Sequence, residues 1–251
     1  MLFRSNGQPQ LVHELLTMAI AASGGTADPV DLLPVATSIA LANDSAGPWL
    51  TPAESQGVLG RQVEPVARAA RLLAGELLVQ LDDDGRRWHH TQAVAARAKQ
   101  AAHLFSPDTA DLLSAAAWLH DIGYARQVNR HDFHPVDGAE HVAEHLAAPA
   151  VAGLIAHHSG ARFVAEVRGL RHLMVPFADT AYWTGPLADA LTWADQTTGP
   201  DGQQVTVEER LDEVLTRHGP DSPNARSNSR RAPALIAAVR LTEARLQRGR
   251  S

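Results

Sequence analysis

The residues best suited to chemistry are the adjacent pair His120-Asp121 and the donors spaced around it: His90, His134, His157-His158 and Asp195. Eleven of the thirteen histidines lie between His89 and His172, so imidazole is concentrated in one stretch of the chain. Neutral imidazole with carboxylate, and no thiolate, is a donor set for zinc, iron, manganese, cobalt or nickel. A carboxylate beside a histidine at the end of an apolar helix needs a partner charge or a metal once buried. The pattern reads as a metal centre, with the rest of the chain as its scaffold.

Composition narrows the chemistry further. With no cysteine among 251 residues, a disulfide, a thiolate nucleophile and an ordinary iron–sulfur cluster are excluded. Lys99 is the single lysine beside 21 arginines, which leaves Schiff-base and lysine-dependent P-loop chemistry almost nothing to use. The net charge of −6 argues against general nucleic-acid binding. Residues 226–251 nevertheless carry seven arginines against Glu243, and they read as a solvated last helix rather than a contact for an anionic partner. No apolar run reaches membrane-spanning length. Leu11 to Ala22 is interrupted by His13 and Glu14, so the expectation is a cytoplasmic protein without a membrane partner.

The elements that must position the donors are helices. Apolar content of 45% with only 5% aromatic residues favours packed helices over sheet. Leu11 to Ala22 and Asp31 to Ala42 read as short helices, making residues 1–50 a helical N-terminal extension suited to capping or to forming a homodimer. One domain is expected over 51–251. Its helices run over Val63 to Leu81, Trp88 to Leu104, Pro107 to His120, Pro135 to Leu146, Pro149 to His158, Pro186 to Asp195, Val205 to His218 and Ala234 to Arg248. Ser106-Pro107 is a cap followed by proline at the first helical position, and Gly123 fits a C-terminal cap. Arg162 to Thr184 reads as mixed helix and loop, and no strand is predicted.

Arg87-Trp88-His89-His90-Thr91, then Trp118-Leu119-His120-Asp121-Ile122-Gly123, then Ala194-Asp195 resembles the HD superfamily of metal-dependent phosphohydrolases. The resemblance spans about residues 63 to 217, and its Arg-x-x-His-Ser/Thr pattern selects His90 rather than His89. His134-Pro135-Val136-Asp137-Gly138 and His157-His158 look like segments of the two-metal branches of that superfamily. The resemblance implies an all-α HD-domain helical bundle holding one or two divalent transition-metal ions (Fe, Mn, Co, Ni or Zn). It places His90, His120, Asp121 and Asp195 on the first ion, with Asp121 bridging to a second held by His134 with His157, His158 or both. His120 and Asp121 would be the catalytic pair.

The implied activity is hydrolysis of a nucleotide or another small phosphate ester by water activated at the metals. Arg162, Arg126 and Arg130 are the guanidinium groups expected on substrate phosphate, although Arg162 could instead pair with Glu166. Residues 194–202 are expected to supply hydrogen bonds that orient Asp195. His89, His103, His141, His145 and His172 read as solvated, whereas His131 falls in the loop that lines the site. Two other readings of the same scaffold are a di-iron oxygenase, with Tyr124 covering the centre, and a non-catalytic metal-containing binding module.

Overall fold

A computed structural model describes residues 66–146 and 148–249. The expected N-terminal extension, residues 1–50, lies outside the described residues, as does the start of the first expected domain helix. Among the described residues the chain is all-α, and the nearest approach to a sheet is one isolated bridge between Thr198 and Gln204.

The α-helices are α1 (Val66–Leu78), α2 (Arg86–Ala101), α3 (Pro107–Leu119), α4 (His134–His145), α5 (Pro149–His157), α6 (Ala161–Arg168), α7 (Pro186–Gln196), α8 (Val207–His218) and α9 (Pro223–Arg248). Short 3-10 turns follow α2, α3 and α5, and two more cover Arg171–Phe177 and Thr180–Tyr182, the stretch with mixed periodicity. No helix among the described residues is long and apolar enough to cross a membrane.

α3 is the hub. Leu113, Ala115, Ala116, Ala117 and Leu119 are all buried, because α1, α2, α5 and α7 pack around it. The three consecutive alanines let those helices approach closely, and Leu78, Leu154, Ile155 and Leu191 fill the volume between them. α9 packs along α7, α8 and α6, closing the other side of the domain. It begins at Pro223, well before the expected Ala234, because Ser222 caps it and Pro233 is carried inside the helix. Proline removes one helical hydrogen bond. The carbonyl left unmatched belongs to Ser229, an exposed residue that water can reach.

Candidate metal centre

Local backbone choices bring the donors together. The Asp83 carboxylate accepts from the Arg87 amide (3.0 Å) and starts α2, which sets Arg87 and His90 one turn apart on one face. Ser106 accepts from the Thr109 amide and starts α3, whose last turn delivers His120. Asp121 leaves helical geometry there, and Ile122–Tyr124 forms a 3-10 turn. Gly123 does not serve as a left-handed cap. A Cβ at this position would sit 2.1 Å from the His134 carbonyl oxygen, so glycine is what lets the start of α4 reach the His120-Asp121 corner. Asp137 anchors the same start by accepting from the His131 and Phe133 amides, each at 2.9 Å.

The histidine rings are aimed by backbone carbonyls. His90 Nδ1 donates to Gly199 O (2.9 Å), His120 Nδ1 to Ala117 O (2.8 Å) and His158 Nδ1 to Ile155 O (2.6 Å). Each bond places the proton on Nδ1 and leaves the Nε2 lone pair pointing inward. The inward nitrogens converge on Asp121. Its Oδ2 lies 3.4 Å from His120 Nε2 and 3.9 Å from His90 Nε2, and its Oδ1 lies 3.5 Å from His134 Nε2 and 3.8 Å from His158 Nε2. Asp195 Oδ1 is 3.2 Å from His90 Nε2. Two groups of donors result, His90-His120-Asp121 and Asp121-His134-His158, which share one carboxylate and can hold one or two divalent ions.

The chemistry of the donors fits such ions. His134 Nε2 and His158 Nε2 face each other at 3.3 Å, and His120 Nε2 is buried without any hydrogen-bond partner. The inward Nε2 lone pairs of His90, His120 and His158, turned towards carboxylates inside a protein, call for a cation. Burial alone would raise the Asp121 carboxyl, but the Arg87 guanidinium (Nη1–Oδ2 2.6 Å) and His120 outweigh it and hold the group well below the usual range. Burial acts the same way on Asp195, and the neighbouring His90 and His120 rings overcome it. Burial lowers His134 well below its ordinary value, against the pull of Asp121, and keeps the ring a neutral donor.

Not every expected residue arrives. His158 leaves α5 in extended conformation, and Ser159 (φ 53°) and Gly160 (φ 70°) then turn left-handed, so the two adjacent histidines diverge. His157 faces away from Asp121: its Nε2 donates to Phe177 O (3.0 Å) and its ring stacks on Trp183 at 4.1 Å. Arg162 also lies apart from Asp121. Its guanidinium lies over Phe163 and Trp183, in a separate cavity of about 220 Å³, while Glu166 pairs with Arg230. Arg130 forms a two-pronged pair with Glu144 (2.6 Å for each bond) on the outer surface, and Arg126 is exposed outside the lining of the metal cavity. His131 pairs with Glu140 rather than lining the centre. Tyr124 does cover it, stacked on His134 at 4.0 Å with Arg87 across its other contacts.

Several groups at the centre were not predictable from residue type. Ser159 Oγ donates a short bond to Asp195 Oδ2, and Gln196 Nε2 donates to both Asp195 Oδ2 and Ser159 Oγ (2.8 Å each). Gln196 therefore supplies the orienting bond expected from residues 194–202, whereas Gly199 orients His90 instead. The cavity over the centre has a volume of about 500 Å³, and its outer wall includes Arg168, Arg210, Arg217 and Arg231. That volume falls in the ~300–1,000 Å³ range of small-molecule sites.

Comparison with protein families matches residues 87–211 to the HD domain. The match opens on Arg87 and spans every donor named above. No curated protein and no solved structure matches the chain.

Proposed function

We infer, for a chain whose residues 87–211 place it in the HD-domain family, a metal-dependent phosphohydrolase acting on a nucleotide or another small phosphate ester. The observation that carries this reading is the shared carboxylate: Asp121 stands between two groups of inward-facing imidazole lone pairs at the floor of an arginine-walled cavity. His90, His120, Asp121 and Asp195 would hold one ion, and Asp121, His134 and His158 a second. Bound there, divalent ions supply activated water at neutral pH and offset negative charge on phosphoryl oxygens.

The protein's own groups do the positioning. Backbone carbonyls fix the tautomer and direction of His90, His120 and His158, so no reorganisation is needed when charge develops. Ser159 and Gln196 hold the second oxygen of Asp195 and leave the first to face His90. Arg87 lies against Asp121 and Tyr124 and puts a fixed positive charge at the mouth of the centre. Phosphate oxygens entering the cavity meet guanidinium groups that are suited to paired hydrogen bonds.

Metal analysis of anaerobically purified protein, followed by a panel of nucleotides and simple phosphate esters with Mn, Fe, Co, Ni and Zn, tests this function. Turnover lost in Asp121→Asn together with bound metal is the expected result. If no ester is cleaved with any of these ions, while the ferrous protein consumes oxygen, the hydrolase reading falls and the oxygenase reading replaces it.

A further inference from the structure

The family match ends at residue 211, inside α8, yet the rest of α8 and the later α9 also reach the metal cavity. α8 presents Arg210, Arg217 and His218 to it, and α9 presents Arg231. Arg231 is only 3% exposed and therefore gives up most of its hydration. Its Nε donates to Ser159 O (2.8 Å), and its Cγ packs against Gly160, where an added Cβ would come within 3.1 Å. The side chain is thus pinned to the turn that follows His158. Its terminal nitrogens are not used by the protein: Nη1 is buried without a hydrogen-bond partner, and Arg231 forms no ion pair among the described residues.

A buried guanidinium is costly unless an anion offsets it. Burial lowers the Arg231 pKa to about 10, which still leaves it charged at neutral pH. Its neighbours do not balance it. Arg210 and Arg217 share the single carboxylate of Glu213, and the Arg210 Nε is likewise buried without a partner. Glu213 therefore serves two arginines, and Arg231 pairs neither with it nor with another carboxylate among the described residues. Asp195 lies close enough to favour the charged form of Arg231, but its oxygens are committed to His90, Ser159 and Gln196.

We propose that Arg231, with Arg210 and Arg217, forms a second anion subsite beside the metal centre, so that the ligand carries two linked phosphate-type groups rather than one. One group sits over Asp121 and the other takes the unused fork of Arg231. This deepens the phosphohydrolase reading and rests on it for the first group only; the second subsite is built from α8 and α9 and needs no metal. A ligand of this class is a diphosphate, a longer polyphosphate chain or a bisphosphate of similar span.

Calorimetric titration of the metal-loaded full chain with inorganic phosphate and with methylenediphosphonate tests the subsite. The diphosphonate should bind more tightly than phosphate. Arg231→Gln should weaken the diphosphonate by roughly ten- to a hundredfold, the loss expected for a charge-assisted contact, and weaken phosphate by less. Should Arg231→Gln fail to fold, Arg217→Gln decides, with a several-fold loss expected. Equal affinity for the two probes, or diphosphonate binding untouched in the folded variants, overturns the proposal. If the wild type cleaves no phosphate ester but binds diphosphonate through Arg231, the subsite stands and the hydrolase reading alone falls.

Discussion

Adjacent histidines with opposite fates give the sharpest test of the site. His158 Nε2 lies 3.8 Å from Asp121 Oδ1 and 3.3 Å from His134 Nε2, whereas His157 is held by Phe177 O and Trp183. Replacing His158 with Ala removes one of three donors from the second group. Disturbing a group that merely supports a metal ligand costs about 10- to 100-fold in affinity. Loss of the donor itself should therefore exceed about 100-fold for the second ion. His157→Ala removes a stacked pair worth about 0.5–1.5 kcal/mol and a hydrogen bond of about 0.5–1.5 kcal/mol. A combined loss of about 2 kcal/mol lowers the melting temperature of a domain this size by roughly 4–8 °C. Metal per chain after equilibrium dialysis, read by mass spectrometry beside thermal melting, separates the two outcomes. His157→Ala should keep its metal and lose stability, and His158→Ala should lose the second ion whatever it does to the melting temperature. If His157→Ala loses the second ion as fully as His158→Ala, the geometry at the end of α5 is wrong and so is the ligand set derived from it.

Gly123→Ala must open the contact between the His120-Asp121 corner and the start of α4, since its Cβ would meet backbone rather than a movable side chain. It should cost at least about 1–3 kcal/mol and weaken the second ion before the first, as dialysis would show. Arg162→Ala should keep metal content and kcat/KM on any ester the wild type cleaves, because Arg162 stacks in a different cavity; a tenfold fall would return it to the phosphate role. Burial lowers the His157 pKa from 6.5 to about 4, so the unfolded chain takes up that proton first. The stability contributed above pH 6.5 is then lost as pH falls towards 4. The stability gap between metal-stripped wild type and His157→Gln should narrow from neutral pH to about pH 5 in urea unfolding, and a gap that widens reverses the sign.

The legible part of this protein lies where local signals decide the geometry. Ser106-Pro107 marks the start of α3, and the run of small apolar residues after it carries His120 and Asp121 to the centre of the domain. The order of His90, His120-Asp121 and Asp195, matched to the HD pattern, is what marks these donors as one set. The His157-His158 pair shows where this stops. Two identical side chains one residue apart cannot be told apart by type, and the left-handed turn at Ser159 and Gly160 decides which one faces the cavity. Only the glycine of that turn announces itself in sequence; a serine with positive φ is imposed by the packing around it. Aromatic neighbours capture Arg162 for the same reason, since Trp183 lies 21 positions downstream and no local pattern pairs them.

The arginine-rich tail is the most instructive departure. The sequence pattern places the last helix over Ala234 to Arg248 and reads all the arginines of 226–251 alike, as solvated. In the folded chain Pro233 is inside α9, and the helix extends ten residues further back, to Pro223. That extension turns two neighbouring arginines to opposite surroundings: Arg230 goes out to Glu166, and Arg231 goes in to Ser159. Net charge along the tail cannot distinguish them, because a solvated guanidinium and a buried one count alike. What separates them is a contact 72 positions away in sequence, between the Arg231 side chain and the turn that also sets the direction of His158. His90, His120, Asp121 and Asp195 are therefore legible along the chain, whereas the directions of His158 and Arg231 are set by a turn and a helix contact that no local pattern announces.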